Sequence, residues 1–538
     1  MPAPIIPLTI QAPGYKGLNY QQASTSLDMG WATELNNAVF DLTGRVTARK
    51  GITALTTSGS PGAYNLEQVF CYEGFTSNAP FTGVLSAGNL KLYGGTTTLV
   101  DRTGTITAPT ANNWQFMNFG NDEIIAVQQA HTPIRSNIVG GVLSNFADIT
   151  ASSGTVPKGN CGIAAYGRLF IADEDGLTVK YSALLDKAKW AAADGAGSID
   201  TTLYWPNGRD YIVALAAWEE KLVIFGKHNI LIYGSPAVNV GFVPASMYLT
   251  DVIEGTGCMA RDSVQHVGSD VVFLSASGVR SLKKSLITTK NPLDEISLPV
   301  RDLLLEYTDG STLANVRSAF HQREGLYLLS MVESANTTTF CFDMKSYIRG
   351  IQDEDTGSVK CSIWNGFPIH GLAYGRDGIL YMSVRDGSDE AIAKYDGYDD
   401  NGDAYTLSYS SPWIDLSNPD VQGQQSPLSS VLKIPKKLTV TTVGAGDYNI
   451  NIGISYDFTD EAYTQVASVT GNSTASEWGV SEYGVGEYGA TLKTTKQSKV
   501  NLARYGQHMK INLSIPIDGN EVSIQKLDLF MKQGRISY

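Results

Sequence analysis

The sequence is poor in the residues that metal and redox chemistry use. Among 538 residues there are five cysteines and six histidines. No two cysteines stand in C-x-x-C spacing and no histidines approach the spacing of metal ligands, so neither a structural metal nor a redox dithiol is expected. Charged residues are also few, at 17%, and they sum to −13. An acidic surface repels a phosphate backbone, which argues against a sequence-specific nucleic-acid binder. No apolar run approaches the roughly 18 residues that span a bilayer. The opening Met1-Pro2-Ala3-Pro4-Ile5-Ile6-Pro7 lacks both the charged and the long apolar region of a secretory signal. The expectation is a chain made in a cytoplasm, without a membrane anchor.

What is present favours short strands. The 54 glycines supply tight turns, and 27 tyrosines against 17 phenylalanines suit half-buried pleated surfaces. The length implies two or three domains. Cys71, Cys161, Cys258, Cys341 and Cys361 are widely separated, and most sit in apolar phrases such as Val69-Phe70-Cys71-Tyr72 and Phe340-Cys341-Phe342. They read as buried free thiols acting as small hydrophobes.

Three regions emerge along the chain. Residues 1–62 read as an arm with little core of its own. Within it, Trp31, Leu35 and Ala38 have the i, i+4, i+7 spacing of a short helix after Asp28, and a basic turn runs from Arg45 to Lys50. Residues 63–404 repeat one phrase, in which an apolar strand, a polar turn and a partner strand follow in order. Its starts near 66, 116, 163, 214, 264, 318 and 371 are 47 to 54 residues apart. A period of about 50 with several strands per unit is that of propeller blades, whose apolar faces only neighbouring blades can cover. An all-β fold with a β-propeller of about six to eight blades follows. A pair of evenly spaced β-sandwiches is the alternative. Helical insertions are expected at 183–193 and from Pro299 onward. Residues 405–538 alternate, as in Tyr448-Asn449-Ile450-Asn451-Ile452, and imply a C-terminal β-sandwich-like domain.

The chemical motifs fail on inspection. Gly484-Val485-Gly486-Glu487-Tyr488-Gly489 matches G-x-G-x-x-G, but no helix follows to receive a pyrophosphate. No cofactor is therefore expected. The acidic loop Asp396, Asp399, Asp400, Asn401, Asp403 has Gly397 and Ser408 where an EF-hand needs Asp and Glu. It reads as a solvated turn, with an irregular calcium site near Asp399 left open. His266 and His321 occupy similar places in successive blade phrases, which favours packing over catalysis. There is no G-x-S-x-G elbow and no Walker A motif. Asp173-Glu174-Asp175-Gly176 lacks the serine and tryptophan of a sialidase Asp-box. Cleavage of a glycan by paired carboxylates stays open, because 53 acidic residues are available. The basic clusters Lys283-Lys284, Lys433 with Lys436-Lys437, and Lys493 with Lys496 and Lys499 read as solvated faces or as docking points for acidic partners.

Both ends carry a resemblance. Gly17-Leu18-Asn19-Tyr20-Gln21, Leu27-Asp28, Trp31 through Phe40 and Gly44-Arg45-Val46-Thr47-Ala48-Arg49-Lys50-Gly51 resemble the opening of short-tailed phage nozzle proteins, the tail tubular protein B family. Ile524 through Arg535 is similar to that family's closing strand. The resemblance implies a non-enzymatic virion protein, a hexamer below an adaptor ring, with tail fibres or spikes at its side. Genomic DNA would pass through the channel without sequence-specific binding. Trp31, Leu35, Val39, Phe40, Arg45 and Arg49 are the candidate assembly contacts on this reading. A carbohydrate-binding or carbohydrate-cleaving tail propeller acting at the host surface is the alternative.

Overall fold

The computed structural model describes residues 5–536 apart from 56–65, 75–80, 89–90, 96–97, 107–112, 207, 209, 235–246, 284–294, 309–314, 333–336, 349–358, 387–388, 416–430, 460–461 and 471–493. The G-x-G-x-x-G phrase at Gly484 lies outside the described residues. Seven antiparallel blades succeed one another along the chain, six as separate small sheets and the sixth in order as one end of a larger sheet. Their innermost strands are Leu66–Gly74, Gln115–Phe119, Cys161–Ala165, Ile212–Trp218, Gln265–Val267, Val316–His321 and Ile369–Tyr374. These coincide with the seven starts of the repeated phrase. In the third blade the inner strand returns through a tight turn at Tyr166-Gly167, where both residues have positive φ and join Cys161–Ala165 to Arg168–Ala172. That is the twist a two-residue hairpin loop requires.

The blades close into a ring because strand alternation sends successive side chains to opposite neighbours. In the second blade, Ile124 and Ala126 pack with Tyr72 and Leu92 of the first. Ile125 and Val127 pack instead with Leu169 and Ile171 of the third. Phe170 and Leu222 fill the next gap, Phe225 and Phe273 the one after, and Leu274 meets Tyr327 between blades five and six. Leu328 and Met382 join blades six and seven, and Val69 and Tyr381 join seven to one. At that last seam Gly371 is required, since a Cβ there would lie 2.9 Å from the Val69 nitrogen. The chain is an all-β protein built around a seven-bladed propeller.

The first fifty residues behave differently from the expected arm. No helix follows Asp28; the residues form the strands Trp31–Ala32, Glu34–Asn36 and Ala38–Phe40. Asp28 Oδ1 accepts the Gly30 N–H in a turn, and Asn37 at φ 55° separates the last two strands. Asn36 pairs in parallel with Ile363 of blade six and antiparallel with Ser408. Distant backbone partners on both edges thus override a helical spacing of three residues. Val46–Ala48, expected as part of a basic turn, is a strand too. Ile52–Ala54 supplies the fourth strand of blade seven, pairing with Ala393 to Tyr395, so a segment preceding the first blade locks the ring.

Two sheets form the C-terminal sandwich. One holds Val431–Gly444, Thr494–Asn501 and Val522–Ile536, to which Ile5–Gln11, Ala38–Phe40 and Val46–Ala48 are added. The other holds Tyr405–Ser410, Tyr448–Tyr456, Ala462–Val469 and Met509–Ile517. Leu438, Leu527, Ile452 and Leu513 share the core between them, together with Leu8, Leu35, Phe40 and Val46. Through Glu34–Asn36 the second sheet continues into blade six as nine hydrogen-bonded strands. The insertion at 183–193 is a turn with one 3-10 segment, Ala192–Asp194, because Leu185 at φ 57° breaks any helix. The helix after Pro299 is present as Arg301–Glu306.

Candidate functional site at the propeller axis

The candidate assembly residues turn out to be largely internal. Trp31 is buried, Leu35 and Phe40 belong to the core between sandwich and propeller, and the half-buried Val39 packs against the cluster of blades six and seven. Arg45 pairs with Asp41 at 2.7 Å. Arg49 is fully buried, with its guanidinium bidentate on Asp400 at 2.6 and 2.9 Å and its Nε donating to Asn37. The rings of Tyr405 and Phe367 lie 4.1 and 4.5 Å from the guanidinium carbon. Asp400, a member of the acidic loop, is therefore an anchor for the arm. Asp399 Oδ1 accepts the Gly402 N–H, and Asp396 meets Lys394 at 2.9 Å. Among the described residues no cluster of acids, histidines and cysteines has metal-binding geometry.

Lys433 is not part of a solvated face. Its ammonium is buried and donates to the Gln507 and Val431 carbonyls at 2.6 and 3.2 Å. Burial brings its pKa down to about 8. His321 does pack as expected, against Tyr374 and Tyr395, and burial lowers its pKa. His266 differs, because it is exposed on the inner strand of the fifth blade.

The chemistry concentrates where none was expected, on the propeller axis. Arg261 and Asp262 stand just before the inner strand of blade five. Arg261 reaches across to Asn113 Oδ1 at 2.8 Å and to the Asn160 carbonyl at 2.7 Å, at the heads of blades two and three. Its Nε and Nη2 also hold Asp262, at 2.7 and 2.9 Å. Asp262 in turn takes Arg317 of blade six at 3.0 Å, and Gln68 of blade one at 3.5 Å. Ser318 Oγ donates to the Asp262 carbonyl at 2.6 Å. Burial alone would raise the Asp262 pKa, but the two guanidiniums hold it below the usual carboxylate range. The network ties five blades together at the N-terminal ends of their inner strands.

Next to this plug lies a cavity of about 400 Å³ between the inner strands. Phe70, Phe116 and Tyr374 give it aromatic faces, while Gln115, Gln265 and Gln322 give it amides. Asp262 is the one carboxylate among its described lining residues. Hydrolysis of a glycan by paired carboxylates needs a second within roughly 5–10 Å, and the described lining residues do not include one. The sequence reading missed these residues because they come from five separate blades and no local spacing joins them. The available signal was positional, since Asn113, Asn160, Arg261 and Arg317 all stand at or just before the start of an inner strand.

No protein-family model and no curated protein sequence matches the chain. Solved structures with a similar course include the C-terminal WD40 domain of Sif2, at 12% identity and TM-score 0.32, over 67% of this chain and 84% of that one. The WD40 domain of Toxoplasma gondii coronin aligns at 10% identity and TM-score 0.33, over 73% and 87%. Trypanosoma rangeli sialidase aligns at 9% identity and TM-score 0.25, over 94% and 95%.

Proposed function

We propose that the chain is a structural nozzle protein of a short-tailed phage tail, non-enzymatic and assembled as a hexameric tube below the adaptor ring. The observation that carries this reading is the meeting of the two segments that resemble the family. Val46 and Thr47 pair with Ile524 and Ser523, and Ala12 N–H donates to the Gln525 carbonyl. The opening and closing phrases, nearly 500 residues apart, thus build one sheet rather than two unrelated tails. The nine-stranded sheet supports the same reading, because a conduit wall has to resist load without a hinge between its domains.

On this reading DNA passes between subunits and not through a propeller. The Arg261–Asp262–Arg317 plug obstructs the axis, and its rupture would strand buried charges. Fibres or spikes and the adaptor dock on outer surfaces, and the tube sits in the virion. Negative-stain imaging of the purified protein and of phage particles tests the proposal. A six-fold ring or tube matching a tail density is expected. A protein that stays monomeric at tail-like concentrations and is missing from purified particles would refute it.

A further inference from the structure

The axial cavity has features that a structural wall does not need. Its floor carries two guanidiniums, Arg261 and Arg317, against Asp262 as the one carboxylate among the described lining residues. This local excess of positive charge stands in a chain of net charge −13, so it is a feature of the site and not of the surface. In the same floor, Gln68 is 6% exposed and its carboxamide is committed on one side only. Nε2 faces Asp262 at 3.5 Å, and Oε1 is buried with no hydrogen-bond partner. Buried acceptors are nearly always satisfied, so a lone one beside a cavity calls for a donor. Phe70 and Phe116, whose ring centroids are 5.9 Å apart, offer apolar faces beside the inner strands of blades one and two.

We infer that this cavity binds a small hydroxylated carboxylate of the sugar-acid class. The charge excess selects a monoanion, and Arg317 lies on the cavity surface to face it. The Gln68 acceptor matches a ligand that also brings a hydroxyl, reached by a small turn of the carboxamide. The aromatic faces suit the C–H side of a pyranose, and the volume falls within the range of small-molecule sites. Inorganic phosphate lacks the C–H face that the aromatic rings call for, and a neutral hexose lacks the charge. This inference does not depend on the nozzle reading, since it uses only the interior of one propeller.

Titration calorimetry on the full chain with glucuronate, glucose and inorganic phosphate as probes tests the assignment. Glucuronate is expected to bind at least about tenfold more tightly than either of the other two. Gln68→Met, which keeps the bulk but loses the acceptor, is expected to weaken glucuronate about tenfold. Gln322→Trp, at an exposed position of the rim, is expected to abolish binding while leaving the melting temperature unchanged. Equal affinities for the three probes, no detectable glucuronate binding, or glucuronate binding that survives both substitutions would overturn the inference.

Discussion

At the scale of single residues, two buried cations define where the molecule is most sensitive. Arg49 satisfies Asp400, Asn37 and the Lys50 carbonyl from one fully buried position. Arg49→Met leaves Asp400 without its partner, and breaking a buried pair in this way costs about 3 kcal/mol. Urea denaturation of the variant checks this, and a loss below about 1 kcal/mol would show that solvent already screens the pair. Lysine is not expected to rescue it, because the bidentate fork and the stacking on Tyr405 need a planar guanidinium. Lys433 makes stability depend on pH. Its folded pKa of about 8 lies below the ordinary 10.5, so between these values the unfolded chain binds more protons. Its contribution to stability therefore rises with pH across that window and is least favourable below pH 8. In Lys433→Met this rise is expected to vanish, as read from the difference between the two proteins' melting temperatures from pH 7 to 10. A constant difference over that range would contradict the assignment.

At the scale of elements, the N-terminal strands act as fasteners. Ile5–Gln11 and Val46–Ala48 cover the same edge of Val522–Ile536, while Glu34–Asn36 bridges blade six and Tyr405–Ser410. Removing residues 1–50 would expose that edge and strip Leu8, Leu35, Phe40 and Val46 from the core. An exposed, long edge strand is a template for aggregation. The truncated protein is thus expected to aggregate or to lose cooperative unfolding, measured by size-exclusion chromatography and near-ultraviolet circular dichroism. A monodisperse truncation with the parent melting temperature would show that the arm is dispensable to the fold. The strand at 34–36 also shows why its conformation was illegible. Trp31, Leu35 and Ala38 satisfy a helical pattern, but both edges of that strand are hydrogen-bonded to residues more than 300 positions away.

At the scale of the whole molecule, net charge governs how the protein meets DNA. A surface of net charge −13 offers few sites for phosphate neutralisation. Lys433 is withdrawn from it by burial, and Lys437 lies over the Phe530 ring at 5.8 Å. Duplex DNA is expected to bind weakly near 0.1 M salt, with a log–log salt slope well short of the value for about six phosphates. Fluorescence anisotropy against salt concentration measures this slope. A steep slope would mean that a basic stripe lines the path of the nucleic acid, against the proposed conduit.

The sequence by itself determined the propeller, because each blade's inner strand is a local apolar run and such runs recur with the period of one blade. All seven starts, from 66 to 371, fall within a few residues of inner strands in the structure. It also determined the sandwich, whose strands alternate in one-face burial, as Tyr448, Ile450 and Ile452 do. Tertiary structure alone decided the rest. Arg49 meets Asp400 across 351 residues, Ile52–Ala54 closes a blade that ends at Tyr395, and Arg261 joins loops from three blades on the axis. These pairings are set by ring closure, which brings together groups whose separation along the chain exceeds any local period. Hydrophobic spacing records which face of a strand is buried, but it carries no record of which distant charge or backbone edge the strand will meet.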